Sequence, residues 1–123
     1  MHVNEFAYLD MVKALTKTGA DIAETIDPDI ANMLHHTLGV AGEAGEIVDV
    51  VKKHAIYGLQ LDRDHLIEEL GDIEFYLAGL RDTIGVTRKT VVECNQRKLA
   101  KRYPQGQYSD DDAEARADKD DEQ

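Results

Sequence analysis

The fold is decided by residues 62–85, DRDHLIEELGDIEFYLAGLRDTIG. The large apolar residues of this stretch recur at steps of four and three, at Leu66, Leu70, Ile73, Leu77, Leu80 and Ile84. Such steps place one apolar stripe along one side of an α-helix. Asp62 is a suitable N-terminal cap, and Gly85 is a residue type at which helices commonly end. The sequence therefore predicts a helix between these two residues.

Three further helices are predicted, over residues 4–18, 27–57 and 87–103. Gly19 is a plausible stop for the first of them. The second starts at Asp27-Pro28, where an acidic cap is followed by a proline in the first helical position. Pro104 ends the last one. Since no strand alternation and no repeat of fixed period is found, the expected fold is all-α, with a four-helix bundle-like protomer.

One domain and a tail are expected from the composition. The chain has 123 residues, 42% of them hydrophobic, which suits a single core of modest size. Residues 1–108 are assigned to this domain. Residues 109–123 are dominated by acids and contain no apolar residue larger than alanine. That composition predicts a flexible acidic C-terminal tail.

The net charge limits the classes of partner. The chain carries 25 acidic against 14 basic residues, a net charge of −11, and such a surface repels nucleic-acid polymers and anionic membranes. Neither is an expected partner, whereas a small anionic substrate needs cations at its site. The single Cys94 excludes a disulfide framework, and no signal peptide and no apolar run near the ~20 residues of a membrane span is found. We expect a cytoplasmic protein.

Two acidic pairs with the same spacing stand out on the predicted helices. Glu43 and Glu46 form the first pair, and Glu69 and Asp72 form the second, each at i, i+3. Like charges at this spacing destabilise an isolated helix, so the repeated arrangement calls for a compensating partner. A hard divalent cation with oxygen ligands is one such partner. The four acids are therefore predicted to bind Mg²⁺, with Mn²⁺ as a substitute.

Glycines interleave both pairs, at Gly42, Gly45 and Gly71. A glycine inside a helix costs about 1 kcal/mol relative to alanine, so close approach of another backbone is expected at the three glycines of the second helix, Gly39, Gly42 and Gly45. Beside the acids, the glycines are expected to admit either the other helix or a bulky anionic ligand. The competing interpretation is a solvated acidic face, and it would be preferred for either pair alone. Because two such motifs occur, both beside apolar residues, the metal site is the preferred interpretation.

Three segments resemble those of a known family: LGVAGEAGEIVDVVKK, EELGDIEFYLAGL and NQRKLAKRYPQG. They resemble the MazG-like family of all-α nucleoside triphosphate pyrophosphohydrolases, in which Glu-x-x-Glu is followed by Glu-x-x-Asp. The resemblance covers most of residues 30–108. It implies Mg²⁺-dependent hydrolysis between the α and β phosphates of a nucleoside triphosphate, which gives a monophosphate and pyrophosphate. It also implies a homodimer or homotetramer.

Candidate substrate-binding residues lie mainly on the last predicted helix. Asn95, Lys98 and Arg102 fall at i, i+3 and i+7 and share one face, which makes them a candidate phosphate clamp. The helix dipole also favours cations in a last turn without any ligand, and the resemblance favours the clamp. Lys53 lies on the same side of its helix as the first acidic pair and is assigned to the departing pyrophosphate. Tyr103 is assigned to the nucleotide.

Glu43 and Glu46 are the candidate catalytic residues, because one of them can take the proton of the attacking water, with Glu46 preferred. The resemblance to short members, including viral ones, favours a purine deoxynucleotide, dATP or dGTP. The alternative from another class is a non-catalytic helical oligomer with a structural cation site. Another activity within the same group of enzymes, on phosphoribosyl-ATP in histidine synthesis, is a further alternative. No local sequence feature favours it.

Overall fold

The computed structural model describes the backbone of residues 4–122 and the side chains of residues 4–119. That part of the chain is helical and contains no strand, which confirms the predicted all-α class. The helices are α1 Glu5–Leu15, α2 Gly19–Thr25, α3 Pro28–Ala55, α4 Arg63–Thr83, α5 Arg88–Arg102 and α6 Asp110–Ala115, followed by a 3₁₀ helix at Ala117–Glu122. None of them combines the length and the apolar character that a membrane crossing requires.

Every α-helix begins with a side-chain cap. The capping oxygen accepts a hydrogen bond from the backbone amide three residues on, and the caps are Asn4, Thr18, Asp27, Asp62, Thr87 and Ser109. Each bond satisfies an amide that has no partner within its own helix. The starts predicted at Asp27, Asp62 and Thr87 are confirmed. Gly85, with φ +69°, takes the left-handed conformation just after α4, as expected for a helix stop.

The first predicted helix is shorter than expected, and an extra helix follows it. α1 ends at Leu15, and Thr18 caps α2 by accepting a hydrogen bond of 3.1 Å from the amide of Asp21. The expectation that Gly19 ends a helix was therefore wrong, since Gly19 is the first residue of α2. A threonine cap with an acid three residues later is a stronger start signal than a lone glycine is a stop.

The segment expected to be a flexible acidic tail contains α6 and the 3₁₀ helix, and both pack against α5. The acids that suggest disorder by composition, Asp110, Asp111 and Asp112, occupy the first turn of α6. Negative charge is favourable at a helix N-terminus because of the helix dipole. Arg116, at φ 48°, turns the chain from α6 into the 3₁₀ helix. The flexibility of this segment in solution stays a prediction.

The antiparallel hairpin of α3 and α4 holds the most extensive helix contact in the described chain. A Cβ atom added to Gly39 would overlap the ring of Tyr76, and one added to Gly79 would overlap the imidazole of His36. Each helix thus presents one glycine to a ring of the other. Two such contacts, one turn apart, fix how far α3 is displaced along α4.

This register decides which acids face each other. Glu43 lies four residues from Gly39 in the direction of the α3–α4 connection. Asp72 lies four residues from Tyr76 in the same direction. Because both helices rise by the same 1.5 Å per residue, these two acids come to the same level. Glu69 follows one turn further along α4. The close helix contact therefore lies one turn away from the acids.

The glycines that interleave the acidic pairs do not serve helix contact. A Cβ at Gly42, Gly45 or Gly71 would meet no atom within 4 Å in this chain. The expectation of close helix approach was wrong for these three, whereas it is confirmed for Gly39, whose counterpart on α4 is Gly79. The reason is geometric, since the glycines beside the acids lie off the line along which the two helices touch. Access for a ligand remains their predicted role.

Little apolar surface is buried within a single chain. Among the described side chains, Val50 is the one buried hydrophobic residue. Large apolar side chains remain exposed along α1, α3 and α4, and examples are Phe6 at 83%, Leu38 at 63% and Phe75 at 68% exposure. A folded chain that leaves so much apolar surface open has faces suited to association.

Candidate metal centre

Three of the four predicted acids converge between α3 and α4. Glu43, Glu69 and Asp72 each offer one carboxylate oxygen, and these three oxygens all lie within 4.8 Å of one another. Around Mg²⁺, with metal–oxygen distances of about 2.1 Å, ligand oxygens lie about 3 to 4.2 Å apart. The limit of 4.8 Å is only slightly above that range, so a bound cation would need little movement of these side chains. The donor set, all carboxylate, is the type that hard divalent cations prefer.

Glu69 is the most telling member of this group because it is buried. The residue is 9% exposed, and its Oε1 lies 3.0 Å from Nε2 of His65. Its Oε2 is buried and has no hydrogen-bond partner in the described chain. A buried carboxylate oxygen without a donor is costly unless a proton or a cation compensates for it. The orphaned oxygen therefore fits a metal ligand.

The electrostatics of Glu43 indicate the same need for positive charge. A hydrogen bond to the Glu69 carboxyl is the main cause that raises the pKa of Glu43 to about 7. Loss of hydration and the negative charges of Glu69, Asp72 and Glu46 act in the same direction. Such a bond requires one proton for the two carboxyls. Near neutral pH a proton on these carboxyls therefore offsets part of the negative charge of the site. A divalent cation would offset the same charge.

The fourth acid, Glu46, stands apart from this group. It is exposed, and its carboxylate is not among the three whose oxygens converge. Its negative charge is nevertheless felt by Glu43. Glu46 thus lies near the cluster without belonging to it. Its assignment as a metal ligand stays a prediction.

Lys53 is engaged on its own helix. Its Nζ lies 2.9 Å from Oδ2 of Asp49, which raises the pKa of Lys53 and lowers that of Asp49. Lys53 also lines a cavity of about 230 Å³ together with His65, whose ring contacts Glu69. This cavity therefore adjoins the acid cluster. The assignment of Lys53 to pyrophosphate stays a prediction.

Arg102, predicted to bind phosphate, is paired with an acid of the same chain. Its Nε donates to Oδ1 of Asp118 at 2.8 Å, and its Nη2 donates to Oδ2 at 3.1 Å. The Asp118 side chain is 3% exposed. The two hydrogen bonds lower the pKa of Asp118 and raise that of Arg102. No pattern in the sequence indicates this pair, because Asp118 is one of many acids in the C-terminal segment.

The other predicted substrate residues form their own group on α5. Asn95 and Lys98 are exposed, and Lys98 lines an open cavity of about 280 Å³. The ring of Tyr103 lies 5.8 Å from that of Tyr108, and both line a second open cavity of about 290 Å³. The main contacts of α5 are with α6 and the 3₁₀ helix. The single chain thus groups these residues separately from the acids, and their roles stay predictions.

The comparison with known proteins agrees with the acid cluster. The profile of the MazG nucleotide pyrophosphohydrolase domain matches residues 32–107. The chain belongs to the MazG family. The matched MazG region contains α4, α5 and nearly all of α3, and with them every predicted site residue. Membership confirms the family resemblance and the general activity, which is nucleotide pyrophosphohydrolysis.

A phage protein is also similar to this MazG chain. The Gene 37 protein of Mycobacterium phage L5 is 40% identical over 81 residues, which cover 63% of this chain and 71% of that protein. Its name states no activity. No solved structure matches the chain. Asp118, α1 and α6 lie outside the matched MazG domain.

His65 is the residue near the acids that sequence reasoning missed. Its contact with Glu69 joins residues four apart on α4. That spacing is visible in the sequence, since residues at i and i+4 share a helix face. The spacing alone could not show that Glu69 is buried, and burial is what gives the contact its importance.

Proposed function

We propose that this MazG protein is a Mg²⁺-dependent nucleoside triphosphate pyrophosphohydrolase. The reaction adds water at the α phosphorus, breaks the bond to the oxygen that bridges the α and β phosphates, and yields a nucleoside monophosphate and pyrophosphate. Family membership supports nucleotide pyrophosphohydrolysis in general. The observation that carries the metal dependence is the buried, unpartnered Oε2 of Glu69 beside two further carboxylates.

The acids divide into two roles in this proposal. Glu43, Glu69 and Asp72 hold the cation, which supplies positive charge to the phosphate oxygens when it is bound. Glu46 is exposed beside the cluster and outside the converging group. It therefore keeps a carboxylate free to accept the proton of the attacking water. Glu43 is less suited to this second role because its carboxylate is one of the three that hold the cation.

The proposed substrate is a purine deoxynucleoside triphosphate, dATP or dGTP. The preference comes from the resemblance to short MazG-like members, and the similarity to a phage protein supports a short protein of the viral type. The net charge of −11 supports a small nucleotide over a nucleic-acid polymer, because a cation held by a few acids can offset the repulsion at one site only.

The proposed assembly is a homodimer or homotetramer. The chain buries Val50 alone among its described hydrophobic residues, whereas the end of α3 presents an apolar cavity of about 460 Å³ lined by Ile47, Val48, Val51 and Ile56. Apolar faces of this kind on a small chain are typical of surfaces covered by a partner. A second copy is the partner that the family resemblance implies.

A nucleotide panel tests the activity. The purified full chain is incubated with Mg²⁺ and each ribo- and deoxynucleoside triphosphate, and products are identified by phosphorus NMR. We expect pyrophosphate and monophosphate, with the highest kcat/KM for dATP or dGTP. Glu46→Gln and Asp72→Asn should each lower kcat/KM by about a hundredfold or more, because each removes a carboxylate of the site.

The matched control is Glu74→Gln, which neutralises an exposed acid that lies on α4, like Asp72, but outside the cluster. Its turnover should equal that of the wild type. If no nucleotide releases pyrophosphate while Mg²⁺ still raises the melting temperature, the chain is a helical oligomer with a structural cation. Undiminished turnover in both acid variants would also overturn the proposed site.

A further inference from the structure

We infer that His65 is a positioning residue for the metal ligand Glu69. The imidazole binds one oxygen of the carboxylate and thereby leaves the other oxygen for the cation. The inference rests on the proposed function, since it concerns the same metal centre. It assigns a role to a residue outside both acidic motifs.

The contact is made within α4, one turn apart. Nε2 of His65 lies 3.0 Å from Oε1 of Glu69. The His65 side chain is 40% exposed, whereas that of Glu69 is 11% exposed. The contact thus joins a partly exposed ring to a buried carboxylate. The oxygen that it does not contact, Oε2, is the buried one without a partner.

The chemistry of the two groups defines the hydrogen bond. An ionised carboxylate only accepts, so Nε2 must carry the proton in this contact. A neutral imidazole protonated at Nε2 is sufficient, and no positive charge on His65 is required. A glutamate has three rotatable side-chain bonds, and a hydrogen bond to one oxygen limits the directions that the other can take. Such contacts orient metal-binding carboxylates in known sites.

His65 is itself well placed to act as an anchor. Its backbone amide donates to Oδ1 of Asp62 at 3.1 Å, which is the cap of α4. The residue thus lies in the first turn of the helix, where the cap fixes the backbone. Its side chain, together with Lys53, lines the cavity that adjoins the acid cluster. Cap, ring and carboxylate form one connected series along the first two turns of α4.

Three variants at His65 separate the hydrogen bond from other effects. His65→Leu removes the donor, and His65→Asn keeps a polar side chain that is too short to donate from the position of Nε2. His65→Gln places an amide donor near that position. The measurement is the dissociation constant of Mn²⁺ in the absence of nucleotide, by titration calorimetry on the full chain. We expect about ten- to hundredfold weaker binding for the Leu and Asn variants. The Gln variant should retain most of the wild-type affinity.

A second readout distinguishes positioning from a general structural defect. At saturating Mg²⁺ the pyrophosphate release of His65→Asn should approach that of the wild type, while the Mg²⁺ concentration for half-maximal rate rises. The matched control is Lys89→Leu, which removes an exposed pair with Glu93 at i, i+4 on α5. Its Mn²⁺ affinity should be unchanged.

The outcomes distinguish the two proposals. A wild-type protein that binds no Mn²⁺ would overturn the metal centre and with it the proposed function. Wild-type binding that is equally strong in His65→Asn would overturn the positioning role alone. If His65→Leu fails to fold, the comparison of the Asn and Gln variants decides, because both are polar and differ in reach.

Discussion

Two acids are buried to the same extent in the described chain, and their surroundings differ in sign. Glu69 and Asp118 are each 9% exposed. Asp118 receives two hydrogen bonds from the guanidinium of Arg102, so its charge is balanced within the chain. Glu69 faces two other carboxylates, its hydrogen bond with Glu43 needs an added proton, and the one imidazole donor it contacts is that of His65.

The difference shows how a structural acid can be told from a ligand-binding one. A buried ion pair with all its oxygens satisfied needs nothing from outside the chain. A buried carboxylate among like charges, with an oxygen that has no donor, is stable only with an added proton or cation. Burial alone would have grouped Glu69 with Asp118. The partners separate them.

The largest change in stability is expected when Asp118 and Glu69 are each neutralised in metal-free protein, and it tests whether the two acids differ as described. Asp118→Asn should lower the melting temperature by several degrees, because the guanidinium of Arg102 loses its ionic partner. Glu69→Gln should raise the melting temperature in the presence of EDTA, because repulsion within the acid cluster is relieved. The measurement is thermal unfolding followed by circular dichroism.

Exposed acids serve as controls for both variants. Glu114→Gln on α6 and Glu68→Gln on α4 change the same charge without touching either buried site, and both should unfold near the wild-type temperature. A stabilised Asp118→Asn or a destabilised Glu69→Gln would show that the two acids do not differ as described. Added Mn²⁺ should stabilise the wild type but not Glu69→Gln.

An intermediate effect is expected from glycines of the hairpin. Gly39→Ala should lower the free energy of unfolding by about 1–3 kcal/mol, because the added methyl group overlaps the Tyr76 ring. Gly42→Ala, one turn of sequence away, meets no atom within 4 Å. It should stabilise the helix by about 0.5–1 kcal/mol.

Urea denaturation measures both glycine variants. The pair sharpens the comparison because it disturbs the α3–α4 region and leaves the Arg102–Asp118 pair intact. Equal stability of the two variants would mean that Gly39 is not a point of close helix contact.

The smallest effect is a pH dependence of stability in EDTA. The pKa of Glu43 is raised to about 7 in the folded chain from its ordinary 4.5. The folded state therefore holds this proton more tightly, so the contribution is fully present below pH 4.5 and is lost as pH rises through about 7. Melting temperatures at successive pH values should show the loss in the wild type, and Glu43→Gln should lack it.

The contribution of the Arg102–Asp118 ion pair to stability depends on pH in the opposite direction and in another pH range. Arg102 lowers the pKa of Asp118 below its ordinary 3.8, so its contribution is present above that value and is lost as pH falls through the lowered pKa. The two sites thus respond to separate pH windows. A Glu43→Gln profile identical to that of the wild type between pH 4.5 and 8 would contradict the shared proton.

The sequence predicted what depends on neighbouring residues. The caps at Asp27, Asp62 and Thr87 and the stop at Gly85 are local, since each acts on backbone within one turn. The acid cluster was predicted because two Gly-interleaved i, i+3 pairs beside apolar residues favour a cation over a solvated face, and three of its four acids converge. α2 was missed because the cap at Thr18 competes with a glycine stop signal directly after it.

The rest depends on contacts between distant residues. Nothing local indicates that Gly39 meets Tyr76, or that Asp118 rather than a neighbouring acid reaches Arg102. The same holds for the position of Glu46 outside the converging group. Each of these outcomes depends on how the helices pack against one another. The spacing of residues along the chain does not show that packing. Residue types were therefore predictable and their partners were not.

The two glycine–ring contacts of the hairpin also bear on how the site forms during folding. A slip of α3 by one turn would displace it by about 5.4 Å, separate both glycines from their rings and move Glu43 away from Asp72. The acid cluster should therefore assemble in an all-or-none manner with the hairpin, and a partly zipped hairpin should have no measurable cation affinity.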